Sequence, residues 1–374
     1  MQTQALTAKF RLCTTNIENG VLHATMKAYL AACNFVSDYV YTTKDIHAKS
    51  VQKAVYRTIR SQFSLPAQMA CNVCRIVTGN YKTILSNKQS WTKVVYRHGF
   101  YDLSWNRDYS LKKDVLSIGT LQGRLKLKFY KRGLEHYFDG NSKFGAAKVI
   151  CKKGKFYLLV SVERNIPDPA AITNIVGIDR GINFIAVAYD SKGKTVFFPG
   201  RSIKNKRAAY KKVRKELQQR GTKSARRRLK QIGQRENRWM SDINHQVSKA
   251  LVESNPTGTL FVLEDLSGIR NATERVRKKD RYVQVSWSFH DLGTKLKYKA
   301  VRAGSQVIEV NPAYTSQTCP KCGFVHKLNR DKKNHTFQCR VCGYRSNDDR
   351  IAAMNLYFKG IQYHSTVTTE QTLL

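Results

Sequence analysis

Long apolar runs are missing from this sequence of 374 residues. No stretch of eighteen apolar residues occurs, which argues against a membrane-spanning helix. The first residues, MQTQALTAKFRL, lack the hydrophobic core of a secretory signal. We therefore expect a cytoplasmic protein, and its 41% of hydrophobic residues are enough to form a folded core.

Acidic residues are the other scarce class. The chain has 26 Asp and Glu against 66 Lys and Arg, a formal net charge of +40 at pH 7. This excess goes far beyond the needs of solubility and indicates a polyanionic partner, with nucleic acid favoured over a membrane surface. Between Arg201 and Arg238, sixteen Lys and Arg stand against Glu216 and Glu236. Solvated helix faces normally mix both signs, so this segment is predicted to follow a phosphate backbone.

The first half of the chain changes its pattern twice. AKFRLCTT alternates like a strand, residues 21–86 have apolar residues at helical spacing, and residues 91–162 contain short β-branched and aromatic runs. The residues Lys152, Lys153 and Gly154 suit a hairpin turn. We therefore expect a small β-barrel with a helical insertion. The segment NIPDPAAI, with two of the seven prolines, is predicted to link this half to the next.

The second half predicts an RNase H-like order of elements. NIVGID, NFIAVAYD and TVFFPG are strands at hairpin spacing, followed by helices over about residues 202–254 and the strand GTLFVLED. A helix near residues 287–303, the strand QVIEV, a cysteine-rich insert and a last helix near residues 348–359 follow. The polar tail from residue 363 to the end has no pattern, and we expect it to be disordered.

Four of the nine cysteines form two close pairs near the carboxyl end. Cys319 and Cys322 make one CxxC pair, Cys339 and Cys342 make the other, sixteen residues separate the pairs, and glycine follows each. Four thiolates at this spacing are typical of one structural zinc ion in a closed tetrahedral site. Two pairs of buried apolar cysteines are the alternative, and the repeated CxxCG pattern makes it the weaker one.

The remaining cysteines do not make a second metal motif. Cys71 and Cys74 have the same spacing, but LPAQMACNVCRIV has a helical pattern and no second pair lies nearby. We expect both to be small buried hydrophobic residues. The same interpretation applies to Cys13, Cys33 and Cys151.

Two further groups are candidates for contact with nucleic acid. The loop between the carboxyl-terminal cysteine pairs is basic and is predicted to touch phosphate. Its cationic residues are Lys327, Arg330, Lys332 and Lys333. Several aromatic residues could stack on bases, although their helical spacing is equally typical of a core. They are Tyr210, Trp239, Trp287 and Phe289.

Carboxylates stand at the ends of two apolar strands. Asp179 ends IVGID, and Glu264 ends FVLE. A carboxylate at such a place is costly to desolvate unless a cation compensates it, so we look for a third acid, which SNDDRIAAMNL supplies as Asp348 or Asp349. Three such ligands suit two Mg²⁺ or Mn²⁺ ions about 3.5–4 Å apart. Singly, each acid has a simpler interpretation as a turn residue, an ion-pair partner or, for Asp348, a helix cap.

The motifs together resemble a known family. IVGIDRG, FVLEDLSGI, YTSQTCPKCG with CRVCGY, and SNDDRIAAMNL are similar in order and spacing to the TnpB proteins of bacterial insertion sequences and to compact type V CRISPR effectors. The match covers residues 172–359, while in the first half LPAQMACNVCRIVTGNYK resembles a helix of the recognition lobe. The resemblance implies an RNA-guided DNA endonuclease that binds a guide RNA and double-stranded target DNA. It also implies Mg²⁺ or Mn²⁺ for catalysis and one structural Zn²⁺.

The resemblance further implies a multidomain α+β fold. A wedge β-barrel interrupted by a helical recognition domain would precede an RNase H-like RuvC domain interrupted by a zinc ribbon. The implied bounds are 1–15 and 90–165 for the barrel, 16–89 for the recognition domain, 172–318 and 344–362 for the RuvC domain, 319–343 for the zinc-ribbon module that binds target nucleic acid, and 363–374 for the tail.

The catalytic acids of the family fall on Asp179, Glu264 and Asp349. Family members often have Asp-x-Asn-Ala-Ala at the third position, which places the acid three residues before Ala352. This register selects Asp349, but Ile351 stands where the family has asparagine. Asp348 therefore remains open as the third ligand.

Three other functions share part of this pattern. A guided DNA-binding repressor would be expected to lose one or more of the acids. A transposase that joins strands also uses an RNase H-like triad, but no separate helix-turn-helix module is evident. A compact CRISPR effector differs mainly in the source of its guide.

Overall fold

The computed structural model describes residues 2–112, 114–266 and 289–372, which form a mixed α+β protein. The chain divides into unit 1, Met1–Asn165, and unit 2, Ile166–Leu374. None of the helices in the described ranges combines the length and apolar character needed to cross a bilayer.

Unit 1 combines seven strands, three α-helices and one short 3-10 helix (Glu135–Phe138) within the part that the structure describes. Strand β1 (Gln2–Cys13) comes first, and the helices α1 (Asn16–Thr43), α2 (Ala48–Gln62) and α3 (Ala67–Ser86) follow. The other strands are β2 (Phe100–Leu103), β3 (Tyr109–Lys112), β4 (Val115–Thr120), β5 (Gly123–Tyr130), β6 (Ser142–Lys152) and β7 (Lys155–Ile166). They form one sheet in the order β2-β6-β7-β1-β5-β4-β3, so the helices interrupt the sheet after its first strand.

The sheet of unit 1 curves until it is nearly closed. The hydroxyl of Tyr109 on the edge strand β3 donates a hydrogen bond of 2.5 Å to the carbonyl of Gly145 on β6. The β6–β7 hairpin turns at Lys153 and Gly154, whose φ angles of 53° and 71° are the two left-handed angles that a tight two-residue turn needs. The hairpin turn predicted from the sequence is therefore confirmed.

Helix α1 begins earlier than its apolar pattern indicates. The Thr15 hydroxyl accepts from the backbone N–H of Glu18 at 3.3 Å, and the Glu18 carboxylate accepts from the backbone N–H of Thr15 at 2.7 Å. This reciprocal capping box satisfies two donors at the helix start. The helix therefore begins at Asn16, five residues before the first apolar residue of the pattern, Val21.

Unit 2 is built on a five-stranded sheet. The strands β8 (Asn174–Asp179), β9 (Phe184–Asp190) and β10 (Thr195–Pro199) are antiparallel, and α4 (Arg201–Arg220), α5 (Lys223–Ile232) and α6 (Arg235–Glu253) follow. Then come β11 (Thr259–Glu264), α7 (Phe289–Arg302) and β12 (Gln306–Val310). The order is β10-β9-β8-β11-β12, with β11 parallel to both β8 and β12. The carboxyl ends of β8, β11 and β12 therefore meet at one edge.

A small sheet and the last helix complete unit 2. The antiparallel strands β13 (Arg330–Asp331), β14 (Thr336–Gln338) and β15 (Arg345–Asn347) lie between and after the cysteine pairs. Strand β15 leads directly into α8 (Asp348–Thr372), which packs on β8, β9 and β11.

Helix α8 continues beyond the end that we expected. The prediction that the chain is disordered from residue 363 onward is wrong for residues 363–372, because these residues are helical. The hydroxyls of Thr366, Thr368 and Thr369 donate to carbonyls four residues earlier, at 2.8–3.0 Å, so the polar side chains are satisfied along the helix. The polar composition of this segment did not reveal that it continues the helix.

Candidate functional site

Two carboxylates meet at the edge of the sheet in unit 2. Asp179 is the last residue of β8, and Glu264 is the last residue of β11. These strands are parallel neighbours, and Ile178 pairs with Leu263, so the two acids follow at the same level. The side chains are held where the chain leaves the hydrophobic part of the sheet, and Asp179 is only 9% exposed.

The third carboxylate comes from the first turn of α8. Asn347 caps this helix, because its side-chain oxygen accepts from the backbone N–H groups of Asp349 and Arg350, both at 3.1 Å. The helix crosses β8 at Gly177, where a Cβ would lie 2.1 Å from the carbonyl oxygen of Ala353. Only glycine permits this approach, which brings the buried Asp349 to the edge that carries Asp179.

The electrostatics show that the three carboxylates share one environment. Burial, followed by the charges of Glu264 and Asp349, raises the pKa of Asp179 well above its ordinary range. Burial and the neighbouring Asp348 raise the pKa of Asp349 to about 6. Burial also raises the pKa of Glu264. Closely placed buried carboxylates of this kind fit hard divalent cations, which would compensate their charge.

Asp348 has a different environment from Asp349. Its side chain is fully buried, and its carboxylate accepts from Nε of Arg330 at 2.7 Å. The imidazole of His335 lies 3.6 Å from the same oxygen. The expectation that Asp348 is the helix cap is wrong, because Asn347 takes that position.

Arg330 turns toward the acids. Besides Asp348, its guanidinium reaches Ser316 Oγ at 3.1 Å and lies 3.8 Å from a carboxylate oxygen of Asp349. We expected this residue to contact phosphate together with the lysines of the loop. Its side chain instead supplies positive charge beside the carboxylates, which lowers the pKa of Asp179 against the larger effect of burial.

Glu264 is held at both its side chain and its backbone. The hydroxyl of Thr315 donates to Oε1 of Glu264 at 2.5 Å. Arg180 donates from Nη2 to the Glu264 carbonyl and from Nη1 to the carbonyl of Phe289 at 3.0 Å. The sequence did not reveal these contacts, although Thr315 and Arg180 belong to the motifs YTSQTC and IVGIDRG.

The four cysteines of the two CxxC pairs form a compact cluster. Their sulfur atoms all lie within 4.8 Å of one another, and the Sγ atoms are 3.5 Å apart both for Cys319 with Cys342 and for Cys322 with Cys339. Tetrahedral zinc thiolates with bonds of about 2.3 Å need sulfur separations of roughly 3.8 Å. The cluster therefore fits a zinc ion, and it is the one group of this kind within the described ranges. The carboxylates at the sheet edge are spread more widely.

The other cysteines lie in unit 1, outside this cluster. Cys74 and Cys33 are fully buried, and the half-buried Cys71 accepts a hydrogen bond from Nε2 of Gln52 at 3.3 Å. Cys13 and Cys151 are half-buried. The prediction of buried cysteines is confirmed for Cys33 and Cys74, while Cys13, Cys71 and Cys151 are only half-buried.

The basic segment forms α4, α5 and the start of α6. Two of its cations bind the buried Glu236: Arg207 lies 3.0 Å away, and Arg214 is its second partner. All the other cations of the segment except the half-buried Lys211 are exposed. Two arginines therefore join α4 to α6, and the rest present positive charge to solvent.

The aromatic candidates for base stacking are mostly engaged in the core. Phe289 is buried, and Trp239 packs against the same core with the Lys206 ammonium 4.4 Å from its ring centre. Tyr210 is half-buried. Trp287 lies outside the described residues.

Two family models match this chain. One, described as a probable transposase, matches residues 157–268. The other, described as a Cas12f1-like TNB domain, matches residues 289–356. Together they cover the strands that carry Asp179 and Glu264, the cysteine cluster and the start of α8.

Curated relatives are similar along much of the chain. A CRISPR-associated endodeoxyribonuclease Cas12f1 from Syntrophomonas palmitatica is 24% identical over 94% of this chain and 72% of that protein. The TnpB-like protein MJ0751 from Methanocaldococcus jannaschii is 27% identical over 66% of this chain and 88% of its own length. The putative RNA-guided DNA endonuclease InsQ from Escherichia coli is 27% identical over 62% of this chain and 61% of its own length.

Solved structures share the fold. A Cas12f1 complex with guide RNA and target DNA aligns with 92% of this chain and 83% of that protein, with a TM-score of 0.64 and 16% identity. CasPhi-2 bound to its RNA aligns with 94% of this chain and 97% of its own length, with a TM-score of 0.56 and 12% identity.

Proposed function

Since this chain is a relative of the TnpB-like proteins and the Cas12f nucleases, as its motifs predict, we propose that it is an RNA-guided DNA endonuclease. The observation that carries the proposal is the convergence of Asp179, Glu264 and Asp349 at one edge of the sheet. Burial and the charges of Glu264 and Asp349 raise the pKa of Asp179, and buried acids gathered in this way are typical of functional sites that hold a cation.

We assign the RuvC domain to residues 172–318 and 344–362, and the zinc-ribbon module to residues 319–343. The support is the order of elements in unit 2: three antiparallel strands, then helices alternating with two parallel strands. In unit 1 we assign the wedge barrel to residues 1–15 and 90–165, and the recognition domain to residues 16–89. The curved sheet and its helical insertion support this assignment.

In the proposed reaction, two Mg²⁺ or Mn²⁺ ions supply the activation of water and the stabilisation of the leaving oxygen in phosphodiester hydrolysis. Asp179, Glu264 and Asp349 are the residues that would hold them. Asp349 is preferred over Asp348 because Asp348 is fully buried and already paired with Arg330. The Arg330 guanidinium, 3.8 Å from Asp349, would also be close to a phosphate bound at this edge.

The cysteine cluster has a structural role in this proposal. Cys319, Cys322, Cys339 and Cys342 would hold one Zn²⁺ with a closed shell of thiolates, which leaves no position for chemistry. The segment between the pairs carries Arg330, and the segment before them carries Thr315. Zinc would therefore fix the part of the chain that reaches back to the carboxylates.

The charge of the chain fits a guide RNA and a double-stranded DNA target. The net charge of +40 and the exposed cations of α4 and α5 would neutralise phosphates, while base pairing between guide and target would read the sequence. We therefore place the protein in the cytoplasm and, when it is bound to DNA, at the nucleoid.

A compact CRISPR effector is the second candidate, because the TNB-domain model and the Cas12f1 relative favour it. The chemistry is the same, and the source of the guide differs. Neighbouring genome sequence separates the two: a repeat array supports the effector, and transposon ends support a TnpB protein. The presence of all three acids argues against a guided repressor.

Sequencing of the RNA that copurifies with the protein tests the guided function. We expect one dominant RNA whose variable end directs cleavage of matching DNA. The purified complex is then given matched and unmatched DNA at physiological salt. Equal cleavage of both by RNA-free protein would contradict guided cutting and leave an unguided nuclease.

A further inference from the structure

Thr315 lies between β12 and the first cysteine pair, and it is only 4% exposed. Its hydroxyl donates to Oε1 of Glu264 at 2.5 Å and also lies 3.0 Å from the carbonyl oxygen of Pro312. A hydroxyl has a single proton, and the shorter contact to a carboxylate is the stronger bond. One oxygen of Glu264 is thus engaged by Thr315, and this bond restricts the rotation of the carboxylate.

The segment around Thr315 is anchored to α8. Asn355 is 7% exposed, and its side-chain amide donates to the carbonyl of Thr315 at 2.7 Å and to that of Thr318 at 2.8 Å. The same helix carries Asp349 in its first turn. Through these two hydrogen bonds, the position of Thr315 depends on α8.

The backbone before Thr315 is strained, as expected where a turn fixes the orientation of the next side chain. Tyr314 has a φ of 63°, although it is bulky and 62% exposed. A non-glycine residue in this left-handed region costs about 1–2 kcal/mol. Its exposed side chain has little packing to offset that cost. The turn directs the next side chain, that of Thr315, inward to Glu264.

From these contacts we propose that Thr315 is a positioning residue for Glu264 and that Asn355 holds Thr315 in place. Helix α8 would then place two acids, Asp349 directly and Glu264 through the hydrogen bonds of Asn355 and Thr315. The inference rests on the proposed metal-dependent nuclease. Partners that orient a ligand in this way typically change metal affinity by about 10- to 100-fold when they are removed.

The test is Mn²⁺ binding by the purified ribonucleoprotein, followed by electron paramagnetic resonance and compared with cleavage at varied Mg²⁺. For Thr315→Val we expect about a tenfold or larger rise in the Mn²⁺ dissociation constant and a matching rise in the Mg²⁺ needed for half-maximal cleavage. Thr315→Ser keeps the hydroxyl and should restore both values. Zinc content and melting temperature, measured on each variant, report on folding.

Thr318→Val is the matched control. Thr318 lies on the same turn, and its carbonyl is also bound by Asn355, but its hydroxyl donates to the Tyr314 carbonyl at 2.9 Å and is exposed. We expect wild-type Mn²⁺ affinity. Asn355→Leu should weaken Mn²⁺ binding in the same direction as Thr315→Val.

Two outcomes separate a failure of the positioning role from a failure of the proposed function. In a complex whose Mn²⁺ binding depends on Asp179, unchanged Mn²⁺ affinity in Thr315→Val would overturn the positioning role alone. Failure of Thr315→Ser to restore the wild-type affinity would do the same. A complex whose Mn²⁺ binding does not depend on Asp179 would overturn the proposed function and this inference together.

Discussion

The two candidate metal sites of unit 2 are built in opposite ways. The cysteines come from one short stretch, residues 319–342, and each pair closes on its own tight turn with Gly323 or Gly343 at a positive φ of 74° or 68°. The carboxylates come from β8, β11 and the start of α8. The first site depends on local geometry, and the second depends on the packing of distant elements.

The ligands of the two sites are therefore expected to affect the stability of the fold differently. Thiolates that bind zinc contribute to the folding of their own module. The carboxylates lie in a place where burial raises the pKa of Asp179 and the charges of Glu264 and Asp349 raise it further, so the rest of the fold must hold these acids together. In the proposed function, bound cations would offset this cost. Removal of a ligand should therefore have opposite effects on stability at the two sites.

The largest effect is expected for Asp349→Asn, which removes one of the repelling charges. Cleavage should fall by about a thousandfold or more, because a metal ligand is lost while the basic surfaces that bind nucleic acid remain. The melting temperature should rise, because repulsion within the cluster is relieved. Cleavage assays and thermal unfolding of the same preparation measure both.

Asp348→Asn is the matched comparison. It weakens the buried pair with Arg330 and should lower stability by about 1–3 kcal/mol, with a smaller loss of cleavage than Asp349→Asn. The reverse pattern, with cleavage lost in Asp348→Asn and kept in Asp349→Asn, would move the third ligand to Asp348.

At the cysteine cluster, Cys319→Ser should remove zinc and stability together. We expect the zinc content, measured by elemental analysis, to fall from one per chain toward none. Cleavage should decline as well, because Thr315 lies just before the cysteine pairs and Arg330 lies between them. Cys71→Ser in α3 is the control and should keep one zinc. Freshly purified wild-type protein without zinc would contradict the prediction.

A moderate effect is expected for Gly177→Ala, which tests how α8 places Asp349. The added Cβ would lie 2.1 Å from the Ala353 carbonyl, so the helix must shift, at a cost of about 1–3 kcal/mol or more. Cleavage should fall while zinc content stays at one. Gly145→Ala on β6, where the nearest atom to the new Cβ is 3.5 Å away, should cost much less. Equal melting temperatures for both variants would refute the argument from close packing.

The smallest effect concerns Asp102 in unit 1, a half-buried carboxylate to which we assign no metal. Burial raises its pKa to about 6, against the opposing charge of Lys148 at 3.6 Å. The folded state therefore binds the proton more tightly than the unfolded chain, so this contribution to stability is complete below about pH 4 and is lost as pH rises through about 6. Asp102→Asn should be more stable than wild type at pH 8, by about 1 kcal/mol, with the difference vanishing near pH 4. Chemical denaturation across this range measures it, and parallel curves would contradict it.

The sequence predicted the parts of both sites that local patterns encode. The cysteine cluster follows from a repeated CxxCG motif, and the positions of Asp179 and Glu264 follow from apolar strands that end in an acid. Their proximity depends on β8 and β11 being parallel neighbours, which a single strand does not reveal. The resemblance to a family supplied that order.

The contacts between elements were not predictable in the same way. Arg330 was expected to meet phosphate because a basic residue in a loop is usually exposed, yet it pairs with Asp348, a partner set by the start of α8. Thr315 points to Glu264 because Tyr314 adopts a left-handed conformation, and tyrosine is not a residue type that predicts such a conformation. These contacts are determined by tertiary packing, so they cannot be predicted from local sequence propensity.

The most direct test of guided cutting at the carboxylate edge is one cleavage measurement on purified ribonucleoprotein. Wild type and Asp179→Asn, loaded with the same guide, are given matched double-stranded DNA with Mg²⁺, and bound and cut DNA are quantified together. We predict that both bind the matched DNA and that only wild type cuts it. Cleavage by Asp179→Asn at the wild-type rate would contradict the account.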